Sequence, residues 1–245
     1  LAAAAANHHI PKFLTDHMQV KLLNQAFDQY KQFLQSPQAD RNLYIWESQR
    51  IFQENWNLEA GDLAKMYDQS LQNSQTRRLW RRESYEPKDT MLQFIGLSED
   101  YFLQMFTDLF DEDKSIDGRV DRFVFYCDQL LQEYRSRYPH RIDNNHYHDN
   151  DYQMISLYLS FRFPDAYTLY NGNYFRSFLD KMGVVNLPLA NDFPRFVKVS
   201  RTVHKLMQKD AELMDLHRRR LQEGVHYMGE SLLVVYDLME MVVKE

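Results

Sequence analysis

Apolar side chains recur at intervals of three and four residues through most of the chain, the spacing of amphipathic helices. The pattern is clearest over residues 98–134. In "SEDYFLQMFTDLF", Tyr101, Phe102, Met105, Phe106, Leu109 and Phe110 fall on one stripe behind Ser98, a residue type suited to capping a helix N-terminus. After the polar break "DEDKS", Ile116, Val120, Phe123, Val124, Cys127, Leu130, Leu131 and Tyr134 repeat the spacing through a second long helix, so the two segments predict a helical hairpin.

The same period runs through "HMQVKLLNQAFDQYKQFLQ" and "NLYIWESQRIFQENW", and a further helix is expected from Glu59 to Leu71. "DYQMISLYLSFRF" predicts a helix stopped by Pro164, and "AYTLY" a short strand near residues 166–170. "NG" at Asn171 and Gly172 predicts a turn into "NYFRSFLDKMG", with Gly183 as the C-terminal cap. "DFPRFVKVSRTVHKLMQKD", "AELMDLHRRRLQ" and "SLLVVYDLMEMVVK" close the chain as helices, the last apolar enough to be central. The fold class is therefore mainly α, a multi-helix, bundle-like domain with at most that one short β element. Residues 10–245 are expected to form one domain, with a subdivision at the polar stretch 136–150 as the alternative. "LAAAAANHH", residues 1–9, is set aside as an appended or unassigned remnant.

Composition agrees with helices. Seven Gly and seven Pro in 245 residues are too few to turn a sandwich or barrel every ten residues or so. Cys127 is the sole cysteine, which excludes an internal disulfide framework and any Cys-based zinc site and suits a reducing, cytoplasmic setting. It lies on an apolar stripe, as a core thiol would. No run approaches the roughly 18 apolar residues of a membrane span.

Catalytic and metal motifs do not complete themselves. Asp111, Asp113, Ser115 and Asp117 alternate like calcium-loop ligands, but Ile116 and Arg122 occupy the places where the loop needs Gly and a bidentate Glu. These acids instead suit helix caps. His140, His146 and His148 with Asp143, Asp149 and Asp151 lie in a polar loop that fixes no ligand geometry. There is no G-x-x-x-x-G-K-[ST], G-x-G-x-x-G or G-x-S-x-G, and "PD" at Pro164 and Asp165 lacks the following acid-x-Lys of a nuclease strand. No cofactor is expected.

"RRLWRR", residues 77–82, stands out in a chain of net charge -6. Arginine forks match phosphate oxygens and a tryptophan face stacks on an unpaired base. Arg77, Arg78, Arg81 and Arg82 are thus candidate phosphate contacts and Trp80 a candidate stacking residue. "HRRR" at 217–220 and "YRSRYPHR" at 134–141 are further basic clusters. The overall acidity argues against strong non-specific DNA binding without excluding a local site.

Two stretches, "LYIWESQRIFQENWNLEAGDLAKMYDQSL" and "HYHDNDYQMISLYLSFRFPDAYTLYNGNYFRSFLDKMG", resemble the region that precedes the AAA+ motor in McrB-like proteins of modification-dependent restriction systems. The likeness is carried by Trp46 and Glu47, Phe52 to Trp56, Met105 to Glu112, and Tyr158 to Asp165 followed by Tyr167 and Tyr170; Phe163 stands where Tyr is expected. The resemblance implies a non-catalytic, N-terminal DNA-recognition module of a restriction or defence protein, acting with the motor of its parent chain and a nuclease subunit, on DNA that carries a modified cytosine in some such systems. A flipped base would need an aromatic pocket, for which Tyr147, Phe161, Tyr167 and Tyr170 are the candidates. The alternative is a protein-interaction module that organises the motor or recruits a partner, with an aromatic surface as contact and arginines as rim.

Overall fold

A computed structural model describes residues 18–73, 79–80, 86–140, 152–188 and 191–244. Among these residues the chain forms α1 (Val20–Leu34), a 3₁₀ turn (Ala39–Asn42), α2 (Leu43–Asn55), α3 (Leu63–Ser70), α4 (Pro87–Leu97), α5 (Glu99–Phe110), α6 (Ile116–Arg137), α7 (Gln153–Arg162), α8 (Gly172–Lys181), α9 (Phe193–Met207), α10 (Ala211–Arg219) and α11 (Leu233–Lys244). No described residue belongs to a strand. None of the described helices is long and apolar enough to cross a membrane.

Helix starts follow the capping residues in the sequence. Ser98 accepts from the Tyr101 amide at 3.3 Å, Ser115 from Gly118 at 3.3 Å and Asp210 from Leu213 at 3.0 Å, each satisfying one of the amides that a helix N-terminus leaves without an intrahelical partner. Asp62 caps α3 in the same way, so that helix begins later than the expected Glu59. Asn171, expected in a turn, is the N-cap of α8 and accepts from the Tyr174 amide at 3.0 Å. Helix α4, which the apolar spacing did not reveal, starts with Pro87 in its first turn, where a missing N–H costs nothing.

The expected strand at 166–170 is instead a buried irregular connection. Here the Tyr170 amide donates to the Ser156 hydroxyl at 2.8 Å, so a side chain supplies the acceptor that a neighbouring strand would have supplied.

The end of α8 matches the expected glycine cap. Gly183 has φ +74°, its amide donates to Asp180 O at 2.9 Å, and Val184 N donates to Leu179 O at 3.0 Å, the paired bonds of a Schellman ending. A Cβ on Gly183 would lie 2.5 Å from Nε2 of Gln19, an exposed side chain that can move, whereas the left-handed backbone cannot. Gly183→Ala is expected to lower Tm by about 2–8 °C, from a left-handed penalty of about 1–2 kcal/mol. Thermal unfolding followed by circular dichroism checks this, and an unchanged Tm would mean that the cap is not held in the folded state.

Helices α5 and α6 pack along each other, α4 lies against both, and α2 pairs with α3 and α7. In the other half α11 packs on α1, α8 and α9, while α10 packs on α1. The two ends of the described chain thus meet. Buried apolar residues from both sides of 136–150 belong to one cluster, in which the Phe106 ring meets those of Phe102, Phe123 and Tyr158 and of the partly buried Trp56.

A buried polar node ties the chain ends together. Asp237, on the largely apolar α11, is fully buried and accepts from Tyr30 Oη at 2.8 Å, Asn42 Nδ2 at 2.8 Å and Arg220 Nη2 at 2.6 Å. Arg220 also donates to Ala39 O at 2.5 Å and lies over the Trp46 ring at 5.0 Å. A carboxylate without water needs such a set of donors, and here they come from α1, the 3₁₀ turn and the end of α10.

Candidate functional site

The predicted nucleic-acid residues divide. Arg77, Arg78, Arg81 and Arg82 lie outside the described residues, as do Tyr147, His146 and His148. Trp80 is only 4% exposed and belongs to the core cluster together with its neighbour Leu79, with Lys88 Nζ 5.8 Å from its ring centroid. Its assignment as a base-stacking face is therefore corrected. The indole is worth more to the core than to water, and burial removes the face that a base would use.

The three described pocket aromatics are also core residues. Phe161 is buried against Phe52 with ring centroids 5.7 Å apart. Tyr167 is buried between two guanidinium groups, Arg201 at 4.7 Å and Arg119 at 5.5 Å from its ring centroid. Its hydroxyl accepts from Arg119 and donates to Glu112 at 3.3 Å. Tyr170 is wedged against Phe193 and Phe196, with centroids at 5.5 and 4.9 Å, and donates to Asn191 at 3.3 Å. All three rings are buried in the core and offer no open face to a flipped base, so for these three that expectation is corrected too.

In the other basic clusters, some described arginines are neutralised within the protein. In "HRRR", His217 is buried, Arg219 pairs with Asp215, and Arg220 is the internal partner of Asp237. In "YRSRYPHR", Tyr134 is buried and Arg137 pairs with Glu133. Within the acidic run 111–118, Lys114 pairs with Asp111 and with Asp108 just before the run. Lys114 Nζ lies 2.8 Å from Asp108 and 2.9 Å from Asp111, and its bond to each carboxylate holds both below their usual pKa. For Asp108 burial opposes the shift and is outweighed by its bonds to Lys114 and Gln104. Among the described residues no three His, Cys, Asp or Glu side chains come together to hold a metal ion. Cys127 is buried, and desolvation followed by the nearby Asp128 pushes its thiol pKa well up, which leaves it protonated and inert.

The aromatic surface lies elsewhere, on the α5–α6 pair. Tyr101 is 42% and Phe125 56% exposed. Half-buried Tyr126 bridges them, its ring centroid 5.8 Å from Tyr101 and 5.7 Å from Phe125. Tyr101 thus leaves the core stripe on which the spacing placed it. Phe125 falls between the inward positions Phe123 and Cys127, so α6 turns it away from the core, while Tyr126 packs partly against the core beside it. Glu99 and Asp100 start α5 beside Tyr101, and Asp121 and Asp128 stand one turn before and after Phe125, all exposed. Arg122 is the exposed cation in that turn. The result is an apolar ridge of three touching rings within a mostly acidic rim.

Comparison of the chain with protein-family models, with curated proteins and with solved structures gives no match.

Proposed function

We propose that this chain is a non-catalytic interaction module that docks a cationic protein segment on the Tyr101–Tyr126–Phe125 ridge. The observation that carries the reading is the conjunction of exposed, touching aromatic rings with an acidic rim. Apolar patches of this kind mark contact sites, and Tyr and Phe give binding area at small cost in side-chain entropy. The rim selects the partner's charge. Carboxylates repel phosphate and attract Lys and Arg, whose cationic heads also favour ring faces. The resemblance to the region before an McrB-like motor supplies the setting, an accessory module of a restriction or defence protein whose partner would be the motor or the nuclease subunit.

DNA recognition, to which that resemblance first points, is the second reading. It is favoured by one feature, the arginines Arg78 and Arg81 that are chain neighbours of the buried pair Leu79 and Trp80. Anchoring by the buried pair would limit the entropy lost when the arginines meet phosphate.

The two readings part in one titration series on the full chain. A fluorescent Arg/Leu-rich peptide, an acidic control peptide, and single- and double-stranded DNA with and without modified cytosine are each titrated at low and moderate salt. The expected result is binding of the cationic peptide that weakens by about thirtyfold in Phe125→Ala, a hot-spot loss of about 2 kcal/mol. Folding stability should stay within about 0.5 kcal/mol because the ring is at the surface. Salt-sensitive DNA binding lost on replacing the four arginines, without peptide binding, would overturn the docking proposal in favour of the DNA reading.

A further inference from the structure

A second feature lies away from the ridge. A cavity of about 450 Å³ opens between α10 and the segment that leads into α11. Its size falls in the range of small-molecule sites. Its apolar walls are Met214, Leu221 and Met228, and the last is half exposed at the mouth. His217 and Ser231, both buried, are polar members of the lining, and exposed Arg218 stands at the rim.

His217 is 5% exposed, and its ring chemistry is fixed from behind. Arg220 Nη2 lies 3.2 Å from its Nδ1, and a guanidinium can only donate. Arg220 is itself held by Asp237 and Ala39 O, so it keeps that position. Nδ1 is therefore the acceptor, and the proton of the neutral ring sits on Nε2, which has no partner among the described residues. Burial first, then Arg220, Arg218 and His204, hold the ring well below its usual pKa, so it is neutral at pH 7. Ser231 adds a hydroxyl, whose oxygen already accepts from the Leu233 amide at 3.2 Å and whose proton remains to be donated.

The other charge in the lining is Glu230, about half exposed, which accepts from Gln208 Nε2 at 2.5 Å. One cavity thus holds two neutral donors, a guanidinium, a carboxylate and a thioether-rich wall. We infer that it binds a small zwitterion with an apolar side chain, the chemistry of a free aliphatic amino acid. The ligand carboxylate meets Arg218, His217 Nε2–H and Ser231, the ammonium meets Glu230, and the side chain lies against Met214 and Leu221.

Isothermal titration of the full chain with L-leucine, and with L-leucinamide as the analogue without a carboxylate, tests this. Saturable binding of L-leucine is expected, weaker by about tenfold or more in Arg218→Ala, which removes a charge-assisted contact from an exposed position without disturbing the fold. Met228→Trp, which fills the mouth, should abolish it, and leucinamide should bind at least about tenfold more weakly. No heat of binding up to about 20 mM L-leucine, below the affinity a useful site of this size would show, overturns the inference. Equal binding of leucinamide, or unchanged binding in both variants, overturns it as well.

Discussion

Asp237→Ala is expected to lower the free energy of unfolding by about 3–5 kcal/mol, the cost of leaving a buried partner charge uncompensated. The substitution removes the acceptor of three donors at once, Tyr30 Oη, Asn42 Nδ2 and Arg220 Nη2. Arg220 keeps the Ala39 carbonyl, but its charge is then buried without an acid in direct contact. Against a typical total of about 5–15 kcal/mol, the variant should be marginal at room temperature. Urea denaturation gives the number. The partner experiment is Asp237→Leu with Arg220→Met, which removes both charges and should recover most of the loss, because an apolar pair avoids the desolvation that the ion pair bears. The surface pair Arg219 and Asp215 offers a contrast. Both groups are mostly exposed, and breaking that pair should cost no more than about 1 kcal/mol. If the single and double variants at the node were equally unstable, the loss would come from packing and not from the unpaired guanidinium.

The helices of this protein are legible because their cores are written in period. Phe123, Cys127, Leu130 and Tyr134 define the inward face of α6, and Ser98 and Gly183 mark a helix start and a helix end where the structure has them. Helix α4 is less legible because its buried set, Pro87, Thr90, Met91, Phe94 and Ile95, is short and follows an arginine-rich segment. The segment 166–170 alternates like a strand, yet no described residue forms a strand; the Ser156 hydroxyl takes the Tyr170 amide and the Arg201 side chain the Ala166 carbonyl. Chemistry was less legible than periodicity. Trp80 and Tyr167 carry the right rings for a base, but aromatic type does not tell which side of the molecule a ring faces, and the core claims both. Phe125 was readable in principle, because at 100° per residue it lies 200° round the helix from Phe123. The Asp237 node was not, since its partners Tyr30 and Asn42 are 207 and 195 positions away and no local pattern links them.

The second large effect is expected at Phe106, where alanine should cost about 3–5 kcal/mol and lower Tm by about 6–20 °C. Phe106 is fully buried and meets Phe102 on its own helix at 4.8 Å and aromatic rings from three other helices or their ends, Trp56 at 4.8 Å, Phe123 at 5.4 Å and Tyr158 at 4.9 Å between centroids. Rings of this size cannot collapse into the space left by a lost phenyl group, so the cavity term adds to the lost transfer free energy. Phe106→Leu keeps most of the volume and should cost less than half as much. The contact with Phe123 also joins α5 to α6, the two helices that carry the ridge on their outer faces. Loss of Phe106 should therefore weaken binding of the cationic peptide at temperatures where the variant is still folded, although Phe106 itself is fully buried. A stability loss under about 1 kcal/mol would show that this cluster is not the centre of the core. Full stability loss with unchanged peptide affinity would show that Tyr101 and Phe125 keep their relative position without it.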